Sequence, residues 1–143
     1  MAQHPKFSVS VVTPEGPAFD GEAEMIIVPG AAGEIGVLAR HAPLVAMLNA
    51  GSTRVYLDVD AQQIETFATG PGFFQVLEDR AIALVDDAVV ASEIDVDRAR
   101  QQLEEAKAEL EKVESGYSTA DRWQLEQRIR HAENQLNVTG ASG

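Results

Sequence analysis

Three histidines, His4, His41 and His131, are the side chains of this 143-residue protein best suited to bind a metal or move a proton. They lie far apart in the sequence, so none of them forms the HxH or HExxH spacing of a local metal site. The chain contains no cysteine, which removes thiolate ligands, disulfides and cysteine nucleophiles together. We therefore expect no metal site.

Serine chemistry and phosphate binding also lack their usual spacing. No GxSxG segment occurs, and Gly70-Pro71-Gly72 lacks the lysine of a P-loop. Gly30-Ala31-Ala32-Gly33 precedes a strand pattern, whereas a dinucleotide-binding loop precedes a helix. The adjacent carboxylates Glu78-Asp79 and Asp86-Asp87 are typical of solvated turns. The sequence predicts a binding or assembly module without catalytic residues.

Composition limits the partners of such a module. The net charge is −12, which argues against nucleic acid and against adsorption to anionic lipid. No stretch of about 18 apolar residues occurs, and no cationic segment followed by an apolar one opens the chain. We expect no signal peptide, no direct membrane insertion and no nucleic-acid binding.

The elements that must carry any binding site change in kind near residue 90. Residues 1–90 hold all six prolines and most of the glycines, and they alternate in the manner of short strands. Strands are predicted at 7–13, 25–28, 33–38, 44–48, 54–59, 63–68, 73–77 and 81–85. Such strands, separated by Gly and Pro turns, predict a β sandwich or barrel.

Residues 91–143 have helical periodicity. Apolar residues recur every three or four positions from Val96 to Val113 and again from Leu125 to Leu136. Ser92 with Asp95, and Ser118 with Asp121, resemble capping boxes, and Gly116 is expected to cap the first helix. The pattern predicts an antiparallel two-helix hairpin with a short frayed tail from Thr139 to Gly143. The fold class is α+β, mainly β, with domains at 1–90 and 91–143.

A slender hairpin has little core of its own. Its apolar seam must pack within the hairpin, against the β domain or against a partner. The hairpin could therefore have two docking states of similar energy.

Four stretches resemble a known family. They are Val9–Gly16, Gly33–Val45, Gly70–Val76 and Glu93–Ala99, and the second is the most specific. In this order they resemble the epsilon subunit of the F-type proton-translocating ATP synthase, called delta in mitochondria, over about residues 6–138.

The resemblance implies a flattened β sandwich of about ten strands followed by a helical hairpin. It implies that the β domain binds the gamma subunit and the ring of c subunits, coupling ring rotation to the central stalk. It also implies that the hairpin extends along gamma to the alpha and beta subunits of the catalytic head and inhibits ATP hydrolysis. The expected location is peripheral, on the cytoplasmic face of a bacterial plasma membrane.

Individual residues follow from the same resemblance. Glu34 and His41 match positions that face the c ring and gamma, and Arg40 lies beside His41, where some relatives have glycine. The alternatives are a solvated strand-end charge for Glu34 and a turn-capping role for His41. Arg122, Arg128 and Arg130 are the cations available for contact with the catalytic head. Pairing with Glu126 within the helix is the alternative for Arg122 and Arg130.

Some relatives bind ATP on the hairpin, and this chain keeps the first part of their motif. Ile94, Asp95, Arg98 and Ala99 match it, although Asp95 could instead cap the helix and Arg98 could pair with a carboxylate.

Downstream of this motif the chain departs from those relatives. Glu105, His131 and Gln135 stand where they have arginines, and Arg128 and Arg130 lie only near those places. We expect no cofactor and weak or absent ATP binding. A stand-alone nucleotide-sensing module using the hairpin is the alternative function.

Overall fold

The computed structural model describes residues 4–140. The chain divides into two compact units, and the boundary between them along the sequence falls between Ala91 and Ser92. The first unit is a β sandwich of ten strands and the second contains two helices. The predicted fold class is confirmed.

The ten strands are short, as the Gly and Pro spacing predicts. They are β1 (Phe7–Thr13), β2 (Gly16–Ala23), β3 (Met25–Gly30), β4 (Gly33–Leu38), β5 (Leu44–Leu48), β6 (Gly51–Asp58), β7 (Gln63–Thr69), β8 (Gly72–Leu77), β9 (Arg80–Val85) and β10 (Ala88–Val90).

One continuous sheet contains all of these strands. Its order is β10-β7-β6-β3-β5-β8-β9-β1-β2, with β4 paired to β3 beside that path. Every pairing is antiparallel except that of β1 with β9, in which Val9 lies opposite Ala81 and Val11 opposite Ala83. The N-terminal strand is therefore held by a strand about 70 residues further along the chain.

The core of the β unit lies on the inward face of these strands. Its largest fully buried side chains include Phe67, Phe74 and Ile26, and Phe19 meets Phe67 edge to face at 6.4 Å between ring centroids. Thr53 and Thr69 are also buried, and their hydroxyls form a hydrogen bond with each other at 2.8 Å. A buried hydroxyl pair of this kind avoids the cost of an unpaired polar group.

Two strands were not predicted from the sequence. Strand β2 contains Pro17, Asp20, Gly21 and Glu22, which are poor strand residues. It forms because it pairs with β1 at the end of the strand order. Pro17 has no N–H to donate, and an edge strand tolerates this on the side that has no neighbouring strand. Strand β10 has only three residues, Ala88–Val90, too few to show alternation.

The glycines at the β7–β8 connection have a packing reason. A Cβ on Gly70 would lie within bonding distance of the Asp86 carboxylate, and a Cβ on Gly72 would strike the Leu84 carbonyl. Only glycine lets β8 start this close to the end of β9. Gly70-Pro71-Gly72 is thus a turn between strands, as expected.

The second unit contains α1 (Val96–Glu114) and α2 (Arg122–Thr139), preceded by a 3₁₀ turn at Ala91–Glu93. Ala99 and Leu103 of α1 pack against Ala132 and Leu136 of α2, so the start of α1 lies beside the end of α2. The helices are antiparallel, and the predicted seam is confirmed.

The predicted capping serines were wrong at both helix starts. Asp95 caps α1 by accepting from the Arg98 N–H at 3.1 Å, and Asp121 caps α2 by accepting from the Trp123 N–H at 2.9 Å. Each aspartate has the extended backbone of an N-cap, while Ser92 lies inside the 3₁₀ turn. Ser118 instead donates to Glu109 Oε1 at 2.7 Å.

The ends of the helices use glycines. Gly116, with φ +80°, follows α1, and the N–H of Tyr117 bonds to the Lys112 carbonyl in a Schellman arrangement. Helix α2 includes Thr139, so the frayed tail does not begin there. Gly140 caps it in the left-handed conformation. The rest of that predicted tail, residues 141–143, lies outside the described residues.

Candidate interaction surfaces

The outward side of β5, β8 and β9 carries large apolar side chains that the β unit does not bury. Met47 of β5 lies opposite Phe73 of β8, which lies opposite Leu84 of β9, so the three form one row. Val45 stands two residues from Met47 on the same side. We call these four residues the apolar face, and each is 51% to 70% exposed. Exposed apolar patches of this kind mark contact sites.

The inward neighbours explain why this face was not predicted. Leu48, Phe74, Val76 and Ala83 are buried in the core, so the strands are apolar on both sides. An antiparallel strand with one face in water normally alternates apolar and polar residues. These strands lack polar residues on the outer face, and that missing alternation could have indicated the apolar face from the sequence.

The loop after β4 carries Arg40 and His41 at one end of the β unit. Arg40 has φ 63°, and its backbone N–H donates to Asp79 Oδ1 in the β8–β9 turn. His41 Nδ1 lies 2.7 Å from the Ala42 carbonyl, which can only accept, so this nitrogen carries the proton. Both side chains are exposed beside Leu38, which is itself largely exposed. The predicted contact residues Arg40 and His41 are thus accessible.

Glu34 lies at the other end of β4, and the structure does not bring it to His41. A strand of this length separates its ends by about 16–20 Å. Glu34 Oε2 accepts from Arg54 Nη2 at 3.0 Å, with β3 between their strands. The residues predicted to face the ring and gamma therefore form two separate polar sites.

The residues at the start of the hairpin that match the ATP-binding motif have structural roles. Asp95 is the N-cap of α1, and Ala99 is buried in the helix seam. Arg98 is exposed and Ile94 is half-buried. The expected capping role of Asp95 is confirmed, and it leaves one carboxylate oxygen for any ligand.

A groove of about 650 Å³ runs between α1 and α2. Its lining includes Glu105, Arg128, His131 and Gln135, so the structure brings together the positions at which this chain departs from ATP-binding relatives. Glu109 and Asp121 add further carboxylates, while Arg128 is the one lining arginine. Three carboxylates against one arginine give a poor receptor for a polyphosphate.

The other predicted head-contact arginines differ in their local contacts. Arg122 is held in two ion pairs, through Nη2 to Glu114 and through Nε to Glu126, both at 3.1 Å. The intrahelical alternative is therefore present for Arg122. Arg130 is exposed on α2.

Neither a metal site nor a membrane span is found in residues 4–140. No group of three or more acidic or histidine side chains there is placed to hold a metal ion. Within the same residues, no helix combines the length and the apolar character needed to cross a bilayer.

A ten-stranded sandwich with an exposed apolar face and a two-helix unit are typical of a module that docks onto other proteins. Residues 6–91 match the model of the ATP synthase delta/epsilon chain β-sandwich domain, and residues 92–140 match that of its long α-helix domain. The chain belongs to the delta/epsilon chain family of ATP synthase. The family predicted from the four stretches is confirmed. The prediction that this chain is a non-catalytic subunit of the complex is confirmed as well.

Curated relatives match along almost their whole length. The ATP synthase epsilon chain of Halalkalibacterium halodurans is 35% identical over 136 residues, covering 95% of this chain and 98% of the relative. That of Alkalihalophilus pseudofirmus is 37% identical, covering 92% and 96%.

Solved structures show the same fold. A chain of the mitochondrial ATP synthase of Euglena gracilis, solved with F1 and the c-ring, superposes with a TM-score of 0.65 at 21% identity, covering 98% of this chain and 81% of that one. A central-stalk chain of the Tetrahymena thermophila enzyme gives a TM-score of 0.51 at 16% identity, covering 64% and 72%.

Proposed function

We propose that this protein is the central-stalk epsilon subunit of a proton-translocating ATP synthase and that its β unit joins the gamma subunit to the c ring. The apolar face is the observation that carries the proposal. The related solved structures are described as F1, c-ring and central-stalk assemblies, which supports these partners.

The apolar face and the polar sites contribute to binding in different ways. Within this proposal, gamma covers Val45, Met47, Phe73 and Leu84. Burial of half of each side chain would contribute about 1 kcal/mol. Glu34 and the Arg40–His41 loop are assigned to the ring and to gamma. Their exposed charges tune association rate and salt dependence more than affinity.

The test is binding of the full chain to purified gamma subunit. Phe73→Glu places a charge in the centre of the row and should weaken binding by tenfold or more. Gln63→Glu makes the same charge change at an exposed site on β7 and is the matched control. Equal affinity for both variants would overturn this docking surface.

We also propose that the hairpin regulates ATP hydrolysis by moving between two docked positions. The buried seam of the hairpin is small and rich in alanine, since Ala99 and Ala132 supply half of its central cluster. Because this core is small, much of the stability of the hairpin must come from packing against another surface. Arg128 and Arg130 are the candidate contacts with the alpha and beta subunits.

Removal of the hairpin tests this regulation. A chain ending at Ala91 should still bind gamma, while ATP hydrolysis by the reconstituted complex rises. Unchanged hydrolysis in a complex that retains the shortened chain would contradict an inhibitory hairpin.

A nucleotide-sensing role is the second candidate, favoured only by the retained Ile94–Ala99 segment. We propose that MgATP binding is weak or absent, because the groove presents Glu105, His131 and Gln135 instead of arginines. Calorimetry with MgATP should give no binding heat, and micromolar affinity would favour the sensor.

The proposed location follows from these partners. The chain would be peripheral, on the cytoplasmic face of a bacterial plasma membrane, held there by protein contacts. When washing strips the catalytic head from the membranes, this chain should be released with it. When the head stays on the membranes, this chain should stay bound as well.

A further inference from the structure

Strand β4 lies beside the main path of the sheet and has a neighbour on one side alone. Within residues 4–140 it pairs only with β3, and it does so along its whole length. The other side of β4 therefore presents a row of backbone N–H and C=O groups without a partner strand. Such a row is a template on which a strand of another chain can pair.

The direction of the Pro29 carbonyl shows which residues of β4 carry these groups. It accepts from the N–H of Asn49, directly after β5, at 2.9 Å, so the backbone groups of Pro29 point away from β4. Pro29 lies opposite Glu34, and opposite residues of an antiparallel ladder either exchange bonds or both point away. The N–H and C=O of Glu34 thus face the unpaired side, as do those of Gly36 and Leu38 by the period of two. We call these six groups the free edge.

The two end strands of the sheet are protected against such pairing, whereas β4 is not. Strand β2 carries Pro17, Asp20 and Glu22, and β10 has only three residues. Prolines, charges and short length are the devices that keep natural edges from pairing. Strand β4 has six residues in regular register, without a proline or a lysine. Its one charged side chain, Glu34, is held by Arg54 from across β3.

The side chains of β4 leave room for a strand at the free edge. Gly36 is exposed and has no side chain, and a Cβ there would approach only the Ile27 side chain, at 3.8 Å. Ile35 packs against the core but stays half-buried, so the core is incompletely covered beside β4. An added strand would meet no bulky side chain at Gly36 and could cover Ile35 with an apolar residue of its own.

Both ends of the free edge lead to residues that the proposed function assigns to docking. Before β4, the Ala31 N–H donates at 2.9 Å to the carbonyl of Met47, a member of the apolar face. After β4, Arg40 is exposed, and its guanidinium forms no ion pair within the described part of the chain. A segment that continues from the apolar face along β4 therefore reaches an uncompensated cation, which favours a carboxylate on the partner.

We propose that an extended segment of the gamma subunit binds the free edge and adds a further strand beside β4. This segment places an apolar side chain against Ile35 and a carboxylate near Arg40. In strand addition the main-chain hydrogen bonds supply affinity and the side chains supply specificity. The inference rests on the proposed docking to gamma and names a second part of that interface, which differs from the apolar face because it uses backbone groups.

Hydrogen exchange of backbone amides tests the free edge directly. In the full-length chain alone, the N–H groups of Glu34, Gly36 and Leu38 have no acceptor among residues 4–140, so they should exchange fast. When purified gamma subunit is added, their exchange should slow by about tenfold or more, because each N–H gains an acceptor. Unchanged exchange of these three amides in the gamma-bound chain would overturn the proposal.

Two substitutions at Gly36 separate backbone pairing from simple contact. Gly36→Pro removes the central donor of the free edge but keeps the β3 ladder, since a proline is tolerated where its nitrogen faces away from the paired strand. The φ of Gly36 is not positive, so the site accepts other residues. Gly36→Pro should weaken gamma binding by about tenfold or more, whereas Gly36→Ala keeps the donor and should bind normally.

Equal weakening by the two variants would contradict strand addition, because only the proline removes a hydrogen-bond donor. Urea denaturation checks that both variants fold. If the proline variant does not fold, the exchange measurement on the unmodified chain decides.

The remaining outcomes separate the free edge from the rest of the docking surface. If Phe73→Glu weakens gamma binding while the free-edge amides stay unprotected in the unmodified complex, strand addition is rejected and docking through the apolar face stands. If the unmodified chain does not bind gamma, both are rejected. Protection that appears only with detergent-solubilised c ring, or only as the chain alone is concentrated, would reject gamma as the occupant in favour of the ring or a second copy of the chain.

Discussion

Asp79 accepts a hydrogen bond from the backbone N–H of Arg40 at 2.6 Å, and this contact ties the β8–β9 turn to the loop that follows β4. The same aspartate offers its carbonyl to the N–H of Ser8 at the start of β1. One turn residue thus connects three segments at the end of the sandwich where His41 is presented. Charge-assisted bonds to a carboxylate are stronger than neutral ones.

Asp79→Ala should loosen the loop that carries Arg40 and His41. The Arg40 amide loses its acceptor, and we expect its hydrogen exchange to accelerate about tenfold or more while the core strands keep their protection. NMR-detected exchange on the full chain measures this. Glu15→Ala removes the same charge in another turn and should leave the Arg40 amide unchanged.

Glu78→Gly should stabilise the protein. Glu78 and Asp79 have φ 50° and 60° in a two-residue connection between paired strands, a turn that strongly favours glycine. The relief of left-handed strain exceeds the entropy lost to glycine, so we expect a gain of up to about 1 kcal/mol in the free energy of unfolding.

Urea denaturation can compare this variant with Glu22→Gly on β2. There the backbone has no positive φ, and glycine should destabilise by about 0.5–1 kcal/mol. Loss of stability in both variants would contradict the strain at Glu78.

Asp95→Ala should destabilise the hairpin, whereas Ser92→Ala should not. Asp95 satisfies the Arg98 N–H at the start of α1, and removal of an N-cap costs about 0.5–2 kcal/mol. Thermal unfolding followed at the helical far-ultraviolet signal distinguishes the two variants. An equal loss in both would restore the capping role that the sequence suggested for Ser92.

Arginines introduced into the groove should create ATP binding. The triple variant Glu105→Arg, His131→Arg and Gln135→Arg replaces one carboxylate and two uncharged groups in a single lined cavity of about 650 Å³. We expect calorimetric MgATP binding in this variant and none in the parent. A triple variant with lysines tests the need for planar, two-point phosphate contacts and should bind more weakly.

The sequence predicted the parts of the fold that follow from periodicity. Strong alternation located eight strands, and the three- and four-residue spacing located both helices and their seam. It did not locate β2, whose pairing with β1 outweighs the poor strand propensity of Pro17 and Gly21. The serine caps were wrong because one carboxylate stands three residues after each serine and takes the N-cap position, Asp95 after Ser92 and Asp121 after Ser118.

The candidate sites also divide into those that the sequence indicated and those that only the structure shows. The resemblance predicted contact roles for Arg40 and His41, which stay predictions. It also singled out Glu105, His131 and Gln135, which the structure places in one groove. Sequence alone did not show that Glu34 is paired with Arg54, because this contact spans two strand pairings. The apolar face also depends on strand order, since only the register of β5, β8 and β9 aligns Met47, Phe73 and Leu84.

The parallel pairing of β1 with β9 has a consequence during protein synthesis. Val9 cannot pair with Ala81 until the ribosome has added that residue, roughly 4–14 s later at ordinary elongation rates. Throughout that interval Phe7, Val9 and Val11 form an apolar nascent strand with one of its two native neighbours missing. The sandwich therefore closes only late in translation, and until then the first strand is an open edge to which a neighbouring nascent chain or a chaperone can bind.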